Sequence, residues 1–137
     1  MDILELHHIS LPTTDLERSR AFYREVLGLA EIPRPPFPFP GAWFRLGDRE
    51  LHLIGGDGAI GQGGTSTDPN QLHFAIRVAR FADTVERLKG LGYREDVAST
   101  DQMHLVIRLR PLTGYPQAYL VDPDRNLIEI NAASLNE

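Results

Sequence analysis

His8, His52, His73 and Glu129 are the side chains in this sequence best suited to holding a metal ion or moving a proton. Each sits in a run that alternates with period two. Ile9 and Leu11 turn away from His8, Phe74 and Ile76 from His73, Leu51 and Leu53 flank His52, and Ile128 and Ile130 flank Glu129. Imidazole or carboxylate placed within a sheet loses hydration that only hydrogen bonds or a cation restore. The chain has no cysteine, which excludes disulfides, thiolate nucleophiles and sulfur-ligated metals. Any metal must therefore rest on nitrogen and oxygen.

The elements that position these groups come in a repeated order. The first strand pattern, within 4–13, precedes a helix expected to start with a Thr14/Glu17 capping box, with Asp15 adding charge to the first turn. Leu16, Phe22, Tyr23, Val26 and Leu27 form its apolar stripe, and Gly28 stops it. Proline-rich residues 33–40 read as a loop over the core, anchored by Phe37 and Phe39. Strands 42–46 and 50–54 are joined by a Gly47-Asp48 turn, and the glycine-rich stretch that follows reads as a connector. The order then recurs: a strand over 71–78, a helix carrying Phe81, Val85, Leu88 and Leu91 and ending at Gly92, a strand from there to Ser99, an extended segment at 103–109, and strands 117–121 and 127–131 around Asp122-Pro123-Asp124. The reading is an α+β domain over 1–137 built as βαβββ twice: module one 1–56, connector 57–69, module two 70–137.

Superposing the two copies places His8 on His73, and Leu51-His52-Leu53 on Ile128-Glu129-Ile130. A lone histidine on a strand is usually structural, but paired placement on the face away from the helices argues for a shared cation or a hydrogen-bond network. Tyr119 shares the face of Glu129 if their strands form a regular hairpin, which suits it to donate to a substrate. Trp43 and Arg45 occupy the analogous face of module one. His7 is expected on the helix side as a boundary residue, and His104 at the surface or a pocket rim. The net charge of −5 argues against nucleic acid and anionic membranes, and no run is long enough to span a bilayer. A small-molecule substrate, a cytoplasmic location with no signal-peptide pattern, and a homodimer joined through exposed module edges are the expectations.

The segments Leu6-His7-His8-Ile9-Ser10-Leu11-Pro12, Asp15 to Tyr23, Val26-Leu27-Gly28-Leu29, Leu72-His73-Phe74-Ala75-Ile76, and Asp122-Pro123-Asp124 with Asn126-Leu127-Ile128-Glu129 together resemble the vicinal oxygen chelate superfamily: glyoxalases, bleomycin-resistance proteins and extradiol dioxygenases. The resemblance implies a half-open, cup-shaped mixed β-sheet with helices on its outer face. It implies a divalent metal (Zn, Ni, Mn, Fe or Co) on His8, His73 and Glu129, with His52 at the fourth position used by glyoxalase I. It also implies Lewis-acid catalysis on a small substrate with adjacent oxygens, with Glu129 as ligand and base. Three positions depart from the pattern. His52 stands where glyoxalase I usually has Glu, Pro12 where the bacterial enzyme has a glutathione-binding Arg, and Arg125 where the turn usually has Gly. The first expectation is a glyoxalase-like lyase or isomerase. The alternatives are an extradiol-type dioxygenase, or a non-catalytic ligand-binding protein of the bleomycin-resistance kind.

Overall fold

The computed structural model describes residues 1–56, 64 and 66–135. The chain divides into two units, Met1–Gln62 and Gly63–Glu137. Of the connector expected over 57–69, residues 57–63 and 65 lie outside the described residues, as do 136 and 137.

In the first unit, β1 (His8–Pro12) leads to α1 (Leu16–Ala21) and a π-helical turn over Phe22–Val26. The N-cap is Asp15, not Thr14: its Oδ1 accepts from the Arg18 amide at 3.1 Å. Asp caps as well as Thr, so the helix starts one residue later than the Thr14/Glu17 box implies. The widened turn bonds the Leu27 amide to the Phe22 carbonyl and lets the consecutive Phe22 and Tyr23 both be buried. Gly28 ends it at φ +71°, a backbone region costly for a side chain with a Cβ. The sheet is completed by β2 (Glu31–Ile32), β3 (Gly41–Leu46) and β4 (Arg49–Ile54) in the order β1-β4-β3-β2. β1 runs parallel to β4 and the other pairs are antiparallel. Leu46 opposes Arg49, so Gly47-Asp48 is the two-residue turn, with Gly47 at φ +60°.

Residues 33–40 form no strand, and Phe37 lies 6.1 Å from the Trp43 ring of β3, so the arm's rings rest on the sheet without entering the core. Both rings are about two-fifths exposed, stacked on each other at 5.3 Å, with the Arg34 guanidinium 5.0 Å from each. Prolines on both sides of each ring hold this arm extended, and the rings satisfy one another and a cation instead of the core.

The second unit repeats the plan. β5 (His73–Arg77), α2 (Phe81–Gly90), β6 (Val106–Arg108), β7 (Gln117–Val121) and β8 (Leu127–Asn131) give the sheet order β5-β8-β7-β6. β5 lies parallel to β8. Each module is thus an open, four-stranded mixed sheet with its own helix. Leu120, Ile128, Ile130, Phe81 and Leu88 are fully buried, each contributing about 1.5–3 kcal/mol. The strand expected from Gly92 to Ser99 reduces to a single bridge between Arg94 and His104. Tyr93 and Val97 are four apart with charged residues between them, which is not a period-two pattern. At the β7–β8 turn, Asp122 Oδ1 accepts from the Asp124 and Asn126 amides, and Arg125 takes φ +67° where a glycine is easiest. The register is kept, with Tyr119 opposite Glu129.

Tyr93 is 3% exposed, and burial, with the nearby Asp122 charge, pushes its hydroxyl up to about 12. A pKa raised on folding stabilises the fold fully below pH 10 and loses that contribution as pH rises toward 12. Stability should therefore decline across this window. Tyr93→Phe should flatten the decline by roughly 2 kcal/mol relative to the parent, read by urea unfolding at pH 9 and pH 11.5. Identical pH slopes would contradict the assignment.

Candidate metal centre

In the second module, rows of side chains cross the sheet on the face opposite Ile128 and Ile130. Pairing puts Ala75, Glu129, Tyr119 and Val106 in one row, and Arg77, Asn131, Gln117 and Arg108 in the next. Glu129, 6% exposed, is surrounded by donors. Tyr119 Oη donates to Oε2 at 2.9 Å, while Gln117 Nε2 and Asn131 Nδ2 donate to Oε1 at 3.1 and 2.8 Å. Arg77 Nε donates to Asn131 Oδ1 at 2.9 Å, which fixes that amide with its NH₂ toward Glu129. Burial pushes the Glu129 carboxyl up. The hydrogen bonds from Asn131, Tyr119 and Gln117, with His73 adding its field, outweigh burial and hold it below the usual carboxylate value. Tyr119 moves the other way: burial first, then its bond to Glu129, push its hydroxyl up to about 12, so it is a neutral donor near pH 7.

His73 completes this group. Its Nδ1 lies 2.8 Å from the Gln71 carbonyl oxygen, which can only accept, so Nδ1 carries the proton. In a neutral ring Nε2 is then a lone pair, and it stands 3.4 Å from Glu129 Oε2. Two acceptors facing each other need a second proton or a shared cation. Two ligands about 2.1 Å from one ion and at right angles lie about 3 Å apart, close to this separation, and a metal-bound histidine commonly donates its other N–H to a backbone carbonyl. The pair therefore fits a divalent ion on nitrogen and oxygen.

In the first module His52, 8% exposed, is sandwiched between two rings: Trp43 at 3.9 Å, nearly parallel, and His8 at 4.3 Å. Pairing sets Trp43 and Ser10 on either side of His52, and Arg45 opposite Glu50. His52 Nε2 bonds Glu50 Oε2 at 2.8 Å, the main reason the Glu50 carboxyl is lowered. That leaves Nδ1 of His52 for any further partner. His7 does not face the helix: it is exposed, with its Nδ1 2.9 Å from Nδ1 of His8, leaving His8 Nε2 for other contacts. His104 is half-buried and bonds Thr67 Oγ1 through Nδ1.

The structure thus brings His8 beside His52 in one module, and His73 beside Glu129 and Tyr119 in the other. Among the described residues, no group of three or more His, Asp or Glu side chains is gathered that could hold a metal. Gln117, Asn131 and Glu50 did not emerge from sequence reasoning. The signal was available, because each lies two residues from a candidate in the same strand and so shares its face.

The site opens into a cleft of about 790 Å³ in the second module, lined by His73, Glu129, Tyr119, Gln117, Arg108 and Arg110 among others. The repeated mixed sheet carrying a His/Glu pair on its open face defines the class. The chain belongs to the Glyoxalase/Bleomycin resistance protein/Dioxygenase superfamily, whose family model matches residues 5–130. Solved structures of the same fold include a putative glyoxalase family protein from Bacillus anthracis, 22% identical over 100% of this chain and 98% of its own, with TM-score 0.74. The lactoylglutathione lyase of Agrobacterium tumefaciens is 22% identical over 96% of each chain, TM-score 0.65. A mutant of the fosfomycin resistance protein FosX from Listeria monocytogenes, complexed with Mn(II) and dihydroxypropylphosphonic acid, is 21% identical over 98% of this chain and 95% of its own, TM-score 0.69. A comparison with curated proteins finds no match. Among the described residues, no helix is long and apolar enough to cross a membrane.

Proposed function

We propose that the protein is a divalent-metal-dependent enzyme of the glyoxalase-like lyase or isomerase type, acting on a small substrate with vicinal oxygens. The observation that carries this reading is His73 Nε2 facing the Glu129 carboxylate at 3.4 Å, with every other polar atom of that pair already given a partner. By the resemblance, His8, His73 and Glu129, with His52 as a fourth ligand, would hold the ion. The bound ion would supply Lewis-acid stabilisation of a substrate oxyanion. Glu129, kept ionised by its donors, serves as ligand and base. Tyr119, kept protonated, holds Glu129 in place with its one O–H and would donate to a bound substrate on turning from that carboxylate. β1 and β5 are edge strands of their sheets, which supports a homodimer, and the reading places the protein in the cytoplasm.

Elemental analysis of protein purified without chelators tests the proposal. Zinc, nickel, manganese or cobalt at near one equivalent per chain is expected. Iron would redirect the assignment to an extradiol-type dioxygenase. A protein that neither retains nor takes up any of these ions would leave only a ligand-sequestering role.

A further inference from the structure

The cleft that holds His73 and Glu129 has an unusual charge balance for a chain of net charge −5. Among the described residues lining it, Glu129 is the only acid, and its charge is already met by three hydrogen-bond donors and His73. Arg108 and Arg110 line the same cleft, both exposed, and among the described residues neither makes an ion pair. This contrasts with Arg77 on the same sheet face, whose Nε is spent on Asn131 and whose guanidinium lies 5.2 Å from the Tyr115 ring. Pairing fixes where Arg108 stands: it is opposite Gln117, in the row next to Tyr119 and Glu129. Its guanidinium carbon is 5.8 Å from the centre of the Tyr119 ring, whose hydroxyl bonds Glu129. One tyrosine ring therefore separates an unpaired cation from the candidate metal ligand.

A guanidinium stacked on an aromatic face keeps its planar N–H fork free for a carboxylate or phosphonate, which it binds bidentately. We propose that the cleft selects a substrate of a few carbons bearing an anionic group, with Arg108 binding that group while the adjacent oxygens face His73 and Glu129. Arg110 strengthens the field from the rim, drawing anions into a cleft that the chain's overall charge would repel. This inference rests on the metal-chelate reading of the site and adds the substrate class to it.

Two chelators separate the two ideas. Acetohydroxamate offers only a pair of adjacent oxygens, and phosphonoacetohydroxamate offers the same pair plus a phosphonate. Calorimetric titration of the Mn(II)-loaded protein should show both binding, the phosphonate form about tenfold tighter or more, with an advantage that shrinks as salt rises. Arg108→Gln should erase most of that advantage while leaving acetohydroxamate unchanged, and Arg110→Gln should reduce it by less. Both arginines are exposed, so neither variant should disturb folding. Equal affinity for the two chelators, or an advantage that survives Arg108→Gln, would overturn the anion assignment and leave the metal site standing. Binding of neither chelator would overturn the metal reading and this inference with it.

Discussion

Replacing His73 or Glu129 by alanine is expected to abolish stoichiometric metal binding while leaving a folded protein. Substitutions that act only through a ligand's hydrogen-bond partner commonly cost about 10–100-fold in affinity, so loss of the ligand itself should exceed about 100-fold. The two variants should differ in stability. His73 is half-buried and, among the described residues, its only polar partner beyond Glu129 is the Gln71 carbonyl, which water can serve. Glu129→Ala instead leaves the Tyr119 hydroxyl and the Gln117 and Asn131 amides without their acceptor, at about 1–3 kcal/mol for each group left buried and unpaired. Glu129→Gln keeps the volume and one acceptor, and so separates lost ligation from lost packing. Metal content is read by elemental analysis after dialysis, and folding by circular dichroism. Full metal content in both His73→Ala and Glu129→Gln would remove the assignment of this centre.

His52→Ala should lower metal affinity about as much as His8→Ala does, more than ~100-fold by the same comparison. The repeat puts His52 where Glu129 stands in the second module: pairing sets Ser10 opposite His52 and Ala75 opposite Glu129, and Ser10 and Ala75 follow His8 and His73 by two residues. Trp43 and His8 fix the plane of its ring, and Glu50 takes Nε2, so Nδ1 would be the nitrogen that coordinates, with a carboxylate to orient the ring. A metal titration of His52→Ala at parental affinity would make it a support for His8 instead of a ligand, and the centre a two-histidine, one-carboxylate face. Glu50→Gln sharpens the comparison: it keeps an acceptor for Nε2, and should cost far less affinity than His52→Ala.

Period-two alternation and repeated order were sufficient to read β1, β3, β4, β5, β7, β8, the Gly28 stop and the Gly47-Asp48 turn, because these depend on near neighbours along the chain, but not the two-residue β2, nor that the second module's third strand lies at 106–108 instead of 92–99. The same alternation placed Trp43 with His52, and Tyr119 with Glu129, once each hairpin's turn length was known. Where local signals were weak or degenerate, they misled. Asp15 and Thr14 are both competent caps, and only packing of the helix selects between them. Tertiary structure alone decided which atoms of the candidate ligands remain available. The Gln71 carbonyl claims His73 Nδ1 and Glu50 claims His52 Nε2, while three donors from two strands claim the Glu129 carboxylate. Residue type and spacing define a side chain's face, and Gln71, Glu50 and Asn131 each lie two residues from the group they bind, but only strand pairing brings Tyr119 and Gln117 to the Glu129 carboxylate.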